Sequence, residues 1–184
     1  NKANTEGMYR HFAETADAVH IPCILYNVPG RTGCSIPVSV VERLSKHPNI
    51  VGIKEASGDM SYAMKIARCV GPDFALYSGN DDITVPLMSI GGSGVISVYA
   101  NVMPAMCHQI VDDYLHGRQA QAVANHLKYL QLMNDLFLEV NPIPVKTAMN
   151  LLGLNVGPMR LPLCEMSEAN AAVLRATMEE AGLL

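Results

Sequence analysis

The chain has 184 residues, of which 49% are hydrophobic, 16% charged and 5% aromatic, and its formal net charge is -4. So apolar a composition excludes an intrinsically disordered protein, because enough surface can be buried to offset the entropy lost on ordering. The acidic balance, with no cluster of Lys and Arg, excludes the electrostatic footprint that a nucleic acid or an anionic membrane requires of its partner.

Glycine and proline divide the first hundred residues into alternating helix and strand. Thr5 is predicted to cap a helix that continues to residue 19. Pro37 opens a second helix that Pro48 ends, and Asp59 or Ser61 caps a third. Short apolar runs, each typical of a strand buried on both faces, follow or separate these helices. The predicted strands are 21–26, 50–54, 74–78 and 94–98, with a short helix at 82–88 before the last of them.

After residue 98 the pattern changes to helices only. They are predicted at 102–116, 118–139, 144–152 and 167–181, and the segment 153–166 is predicted to be an ordered loop. No low-complexity tract or linker divides the chain into independent domains.

Strand followed by helix, repeated about four times with short loops, predicts parallel βα units. Two architectures accept such units: an open doubly wound sheet and a closed eight-stranded barrel. An open sheet normally has a phosphate-binding turn that begins a helix. Here Gly91-Gly92-Ser93-Gly94 precedes a strand, and neither G-x-G-x-x-G nor G-x-x-x-x-G-K occurs. We therefore favour the barrel and interpret these glycines as a tight turn, with a nucleotide cradle as the alternative.

Cysteine and histidine usage bears on redox environment and metal binding. The five cysteines are widely spaced and form no C-x-x-C pair, which disfavours a disulfide scaffold or a zinc ribbon and favours a reducing cytoplasm. The six histidines show no H-E-x-x-H or other ligand spacing, so no metal is expected. No apolar run approaches the roughly 20 residues that cross a bilayer, so we expect a soluble protein without a membrane partner.

In a βα barrel the active site is built at the carboxyl ends of the strands. Lys54 ends the second predicted strand, where an ammonium is costly to desolvate unless something requires it. Apolar surroundings favour the neutral amine of a lysine, which attacks carbonyl carbons. The alternative is a strand-end lysine that bends out to solvent or pairs with Glu55. A second candidate, Lys146, lies near a helix start beyond the βα repeats, where a packing or interface role is favoured.

Two other residues are predicted on the same rim. Tyr26 ends the first strand, and a phenol there can relay protons to a neighbouring imine or hydroxyl. Its alternative role is a half-buried aromatic with a satisfied hydroxyl. Arg31 follows in a Pro-Gly turn that could fix its guanidinium for bidentate binding of a carboxylate, with a solvated turn arginine as the alternative.

Four motifs, in order and at compatible spacing, resemble those of the dihydrodipicolinate synthase family of pyruvate-dependent class I aldolase-type enzymes. They are YNVPGRTG at 26–33, GIKEASGD at 52–59, GGSGVISV at 91–98 and NPIPVK at 141–146. The likeness extends over effectively the whole chain, from Thr5-Glu6-Gly7 to the terminal residues 181–184. Several ordered motifs together are a far stronger signal than any one alone.

The resemblance implies a (β/α)8 TIM barrel in which Lys54 forms a Schiff base with pyruvate. The enamine then attacks the aldehyde of aspartate semialdehyde and gives 4-hydroxy-tetrahydrodipicolinate, on the route to lysine and diaminopimelate. Tyr26 matches the proton-relay tyrosine of the family. Arg31 matches the residue that holds the carboxylate of the second substrate. No metal or organic cofactor is implied, because the imine itself serves as the electron sink.

Further positions follow from the same resemblance. Gly79 and Ile96 match backbone positions that line the pyruvate site, and Asn141 is expected to contribute to the rim. Related sialic acid lyases and sugar-acid aldolases keep the Tyr and Lys but usually lack the arginine, so the arginine here favours the synthase. The alternatives are an N-acetylneuraminate lyase-like aldolase and a catalytically incomplete half-barrel that only associates or folds.

The extent of the match limits what the chain is expected to contain. A complete barrel needs about 250 residues and eight strands, and roughly four strands are predicted here. Nothing matches the amino-terminal half of the family. We therefore expect residues 1–100 to form the carboxyl-terminal half of a barrel and 101–184 a helical region. We expect this chain alone to be inactive and poorly folded, and the complete enzyme to be a homo-oligomer, a dimer of dimers.

Overall fold

The computed structural model describes residues 2–184. They form two compact units, one ending at Ile96 and the other running from Ser97 to Leu184. The sequence predicts a division into residues 1–100, as half of a complete barrel, and residues 101–184, as a helical region. That division stays a prediction.

The first unit contains all of the named strands and half of the α-helices. The strands are β1 (Cys23–Asn27), β2 (Ile50–Glu55), β3 (Ala75–Ser78) and β4 (Gly94–Val95). The helices are α1 (Thr5–Asp17), α2 (Pro29–Thr32), α3 (Val38–Leu44), α4 (Met60–Ile66) and α5 (Thr84–Met88), with 3-10 turns at Ala67–Cys69 and Asp81–Ile83.

The strands form one parallel sheet in the order β1-β2-β3-β4. Each strand therefore pairs with the next strand along the chain, and the order does not reverse. A doubly wound sheet has a reversal at its switch point, whereas a (β/α)8 barrel wall has none. The fold prediction is confirmed: these are about four consecutive βα units of a TIM barrel, followed by helices.

Helices of the first unit cover one face of the sheet. Leu25, Ile53 and Leu76 are at most 3% exposed and pack with residues of α1, α3 and α4 in one apolar core. Successive strand residues point to opposite faces, so the residues between them face away from this core. Ile24 and Tyr26 are 45% and 44% exposed. The expectation that the strands are buried on both faces is therefore wrong for β1.

We call the side of the sheet opposite this core the open face. Its residues alternate along the strands with the core residues. Tyr26, Lys54 and Tyr77 are paired across β1, β2 and β3, and Ile24 and Ile96 lie next to this row.

Two helix starts test the predicted caps. α1 is capped by Asn4, whose side chain accepts a hydrogen bond of 2.8 Å from the Gly7 amide, and not by the predicted Thr5. Either residue type caps well, so the one-residue error reflects the similar chemistry of neighbours. α4 is capped by Asp59, whose carboxylate accepts from the Tyr62 amide at 3.0 Å. Of the two predicted alternatives for this helix, Asp59 is correct.

The second unit is helical, as predicted. Its helices are α6 (Pro104–Leu115), α7 (Gln119–Lys128), α8 (Leu130–Asp135), α9 (Ile143–Leu151) and α10 (Glu168–Glu180), preceded by a 3-10 turn at Tyr99–Asn101. The prediction of one helix over 118–139 is wrong, because the backbone of Tyr129 leaves the helical region at φ -103° and ψ 8°. Within residues 2–184, no helix has the length and apolar character needed to cross a membrane.

Candidate active site

The pairing of β1 with β2 brings two predicted site residues together. Tyr26 and Lys54 are direct cross-strand partners, one residue before the carboxyl end of each strand. Partners in a parallel pair point to the same face, so both side chains lie on the open face. The Lys54 ammonium lies over the Tyr26 ring, with Nζ 4.4 Å from the ring centroid. Tyr77 of β3 continues the same row beyond Lys54.

The surroundings of Lys54 bear on one of the alternatives, an ion pair with Glu55. Lys54 is partly buried, and its ammonium lies over the face of the Tyr26 ring. Such a contact attracts a cation without neutralising its charge. Within residues 2–184 no carboxylate forms an ion pair with it. The alternative pairing with Glu55 is therefore wrong, since adjacent strand residues point to opposite faces of the sheet. The amine at this position lies on the open face, in contact with the Tyr26 ring.

Glu55 has a different set of contacts on the helix-covered face. It is 1% exposed, and its two carboxylate oxygens accept hydrogen bonds from the Asn27 side-chain amide (2.7 Å) and the Ser57 backbone amide (2.6 Å). Asn27 is also 1% exposed, and its Oδ1 accepts from the Ile36 amide at 3.0 Å. Sequence reasoning missed this buried pair, although the period of two along each strand was sufficient to place both residues opposite Tyr26 and Lys54.

The backbone passes close to the Lys54 side chain at Gly79, the residue after β3. The Gly79 amide donates to the Glu55 carbonyl at 2.6 Å. A Cβ at this position would lie 2.5 Å from the Ala56 Cβ and 3.0 Å from the Lys54 Cε. Gly79 therefore lines the space beside the amine with backbone alone, because no side chain fits there.

Ile96 lies just beyond β4, and its amide donates to the Ser78 carbonyl at 2.9 Å. This bond continues the β3–β4 ladder past the two residues of β4, the strand that was predicted to extend to residue 98. The side chain is 41% exposed on the open face.

Arg31 lies directly after β1, in the one-turn helix α2. Pro29 begins this helix and Gly33, at φ 72°, ends it in the left-handed conformation, so the predicted turn is replaced by a capped helical turn. Arg31 itself is exposed. The short helix fixes the backbone from which the guanidinium extends.

Lys146, the alternative lysine, belongs to the second unit. Its Nζ donates to the Pro158 carbonyl at 2.6 Å, which commits the ammonium to a structural contact within that unit. Asn141, the predicted rim residue, is also in the second unit, two residues before the start of α9. No set of three His, Cys, Asp or Glu side chains that could hold a metal ion occurs among the described residues.

Comparison with known proteins places this geometry in a family. The model of the dihydrodipicolinate synthetase family matches residues 1–181. The chain is 49% identical over 184 residues to 4-hydroxy-tetrahydrodipicolinate synthase of Clostridium perfringens (strain SM101 / Type A). It is 50% identical over 185 residues to that of Thermoanaerobacter sp. (strain X514). All of the chain is covered in both cases, but only 63% and 62% of the two relatives.

Solved structures give the same result. The crystal structure of the enzyme from Cyanidioschyzon merolae with lysine bound superposes with a TM-score of 0.96 at 41% identity, over the whole chain and 63% of that structure. The chloride-inhibited dihydrodipicolinate synthase from Acinetobacter baumannii, complexed with pyruvate, superposes with a TM-score of 0.95 at 40% identity, over the whole chain and 63% of that structure. The chain thus spans less than two thirds of the length of these relatives.

Proposed function

Because the chain belongs to the dihydrodipicolinate synthetase family, we propose that it carries the nucleophile of a 4-hydroxy-tetrahydrodipicolinate synthase. Such an enzyme is a lyase that condenses pyruvate with aspartate semialdehyde in the biosynthesis of lysine and diaminopimelate. The observation that carries the proposal is the placement of Lys54 beside Tyr26 at the carboxyl end of the sheet. That end is where barrel enzymes build their active sites.

Lys54 is proposed to act as the nucleophile. Its neutral amine adds to the C2 carbonyl of pyruvate, and loss of water gives a protonated imine. A proton then leaves the C3 methyl group, and the electron pair of that C–H bond forms the enamine. The enamine C3 bonds to the aldehyde carbon of aspartate semialdehyde, whose oxygen becomes the 4-hydroxyl. The amino group of the second substrate displaces the Lys54 amine from C2, which closes the ring and frees the lysine.

Tyr26 is proposed to relay protons in these steps. Its ring lies under the Lys54 ammonium, so its hydroxyl is carried on the same face of the sheet as the imine. Loss of water from the first adduct and removal of the methyl proton both need a group that accepts and returns a proton.

The substrate contacts are proposed from position and residue type. Backbone at Gly79 lies beside the Lys54 side chain, and the Ile96 amide is bonded to the Ser78 carbonyl. Both positions are proposed to line the pyruvate site. Arg31 is proposed to bind the carboxylate of aspartate semialdehyde through its planar guanidinium. An Arg31→Leu variant should then mainly raise the KM for aspartate semialdehyde and leave that for pyruvate nearly unaltered.

A lyase acting on a larger 2-keto acid is not favoured, since the similar relatives are named as synthases.

The setting of the enzyme is also a proposal. We expect it in the cytoplasm, where its substrates are metabolites, and as a homo-oligomer of the dimer-of-dimers type. Oligomeric state is not uniform among similar proteins, because one solved structure, 38% identical, is described as a monomeric dihydrodipicolinate synthase variant. Sedimentation velocity of the protein that contains this chain measures the state directly.

Trapping of the imine tests the proposed nucleophile. The protein that contains this chain is incubated with pyruvate, reduced with borohydride and mapped by peptide mass. A stable adduct is expected on the peptide with Lys54, and Lys54→Arg should abolish it because a guanidinium forms no such imine. Lys146→Arg makes the same change at the other candidate and should leave the adduct intact. Wild-type protein that is folded yet gives no adduct on Lys54 would contradict the proposal.

A further inference from the structure

We propose that the buried pair of Asn27 and Glu55 is a positioning device for the reactive pair, and that it acts through the strand backbone. The inference rests on the proposed function of Lys54. Neither residue reaches the open face, so neither is expected to touch substrate. Their task is to fix where Tyr26 and Lys54 stand relative to each other.

The contacts of the pair connect three strand ends. The Glu55 carboxylate receives the side-chain amide of Asn27 at 2.7 Å, which joins the ends of β1 and β2. The backbone carbonyl of Asn27 accepts from the Ala56 amide at 2.9 Å, and that of Glu55 accepts from the Gly79 amide at 2.6 Å. The end of β3 is thereby included. Each residue of the pair directly follows one of the reactive side chains along its strand.

Burial makes this connection rigid. Both residues are 1% exposed, so water does not compete for their hydrogen bonds. Within residues 2–184 no Lys, Arg or His forms an ion pair with Glu55, so its carboxylate depends on the amides of Asn27 and Ser57. The pKa of Tyr62 is raised by burial and, to a smaller extent, by the nearby Glu55 carboxylate. Burying a carboxylate costs free energy, and apolar packing alone gives no reason for an acid at this position.

Backbone amides outside the pair determine which side-chain atom of each residue faces the other. The Ile36 amide must donate to Oδ1 of Asn27, which leaves Nδ2 facing Glu55. The Ser57 amide must donate to Oε1 of Glu55, which leaves Oε2 facing Asn27. Two backbone donors thus determine the orientation of both side chains.

This polarity predicts a reciprocal pattern among isosteric variants. Glu55→Gln places an amide donor against the Asn27 donor, and Asn27→Asp places two acceptors together. In the double variant Asn27→Asp/Glu55→Gln, the new amide donates to the new carboxylate. All three hydrogen bonds and the net charge are then restored with side chains of the same shape.

The experiment measures the rate at which borohydride traps pyruvate on Lys54, together with kcat and the KM for pyruvate. It uses the protein that contains this chain, at a temperature where each variant is fully folded. Each single variant is expected to lose between about tenfold and 10²-fold in trapping rate, the range that follows from a displacement of about 1 Å. The double variant is expected to recover most of the loss. Asn4→Ala, a remote substitution in the α1 cap, is the control for lost stability and should trap at the wild-type rate.

The outcomes separate this inference from the proposed function. Absence of a wild-type adduct on Lys54 would contradict both the proposed function and this inference. The inference alone would be contradicted if the wild-type adduct is normal and the single variants melt at lower temperature but trap pyruvate at the wild-type rate. A double variant no faster than the single variants would also contradict it, because the reciprocal hydrogen bonding would then be irrelevant to the reactive pair.

Discussion

Gly79 is a residue at which the backbone packs closely against the Lys54 side chain. Its amide is bonded to the Glu55 carbonyl, and the nearest side-chain atoms belong to Ala56 and Lys54. One methyl group added here has no free volume to enter. The backbone of β3 or the Lys54 side chain must therefore move.

For Gly79→Ala we expect a loss of about 1–3 kcal/mol in the free energy of unfolding, as is typical of overpacking. We also expect slower pyruvate trapping, because the Lys54 Cε lies 3.0 Å from the added carbon. Urea unfolding and borohydride trapping measure the two effects. The matched control is Gly30→Ala, where an added Cβ meets nothing within 4 Å. Equal behaviour of the two variants would show that the close approach at Gly79 is unimportant.

At the residue scale, the sequence was sufficient to predict that Tyr26 and Lys54 share a site. Both end consecutive predicted strands, and parallel strands align their carboxyl ends. Contacts of Glu55 were not predictable in the same way. Its hydrogen-bond partners Asn27 and Ser57 are set by strand register and loop shape, which depend on tertiary packing. Alternation along the strand nevertheless argues against a Lys54–Glu55 pair, and that signal was available.

Helix α1 tests the energetic weight of a single cap. Asn4 accepts from the Gly7 amide, one of the four amides that the first turn leaves without a helical partner. Asn4→Ala should lower the free energy of unfolding by about 1 kcal/mol, measured by chemical denaturation. Thr5→Ala alters the neighbouring residue, which the structure places inside the helix, and is expected to stay within about 0.5 kcal/mol of wild type. The reverse order of effects would favour Thr5 as the cap.

The start of α10 is stabilised by a carboxylate from another segment. Glu139 accepts hydrogen bonds from the Asn170 side chain (2.9 Å) and from the Ser167 hydroxyl (2.7 Å) and amide (3.0 Å). These bonds, those of Asn170 first, hold the pKa of Glu139 below its ordinary value of 4.5. A carboxylate whose pKa is lowered on folding stabilises the folded state above that ordinary value, and the contribution disappears as pH falls through the lowered value.

Glu139→Gln should therefore destabilise the protein more at pH 7 than at acidic pH. The difference in unfolding free energy between wild type and variant is expected to be constant above pH 4.5 and to shrink below it. Denaturation series at several pH values measure this difference, and other acidic groups cancel because both proteins contain them. A difference that grows on acidification would contradict the assigned hydrogen bonds.

Elements were predictable in kind and less so in extent. The apolar pattern over 118–139 gives no sign of the break at Tyr129, because neither glycine nor proline is near it. β4 has two residues where five were predicted, since ladder pairing with β3 and not apolar character decides where a strand ends. α2 carried both of its signals, Pro29 at the start and Gly33 at the end, but four residues are too few for helical periodicity.

Over the whole molecule, β1 and β4 are the edges of the described sheet. An edge strand presents unpaired backbone groups, and Ile24 on β1 adds an apolar side chain that is 45% exposed. The 184-residue chain by itself is therefore expected to self-associate as its concentration rises, which sedimentation velocity measures. Ile24→Lys places a charge at this edge and should reduce the association. Phe137→Lys, at a residue 46% exposed in the helical unit, tests whether any added charge has the same effect.

The uninterrupted order of the strands has a consequence for how the protein is made. Tyr26 and Lys54 are paired on neighbouring strands and are 28 positions apart along the sequence. Contacts between nearby segments close small loops and form early in folding. During synthesis on the ribosome, the tyrosine and the lysine can thus meet once the second strand has emerged, before the residues that follow it have left the ribosome.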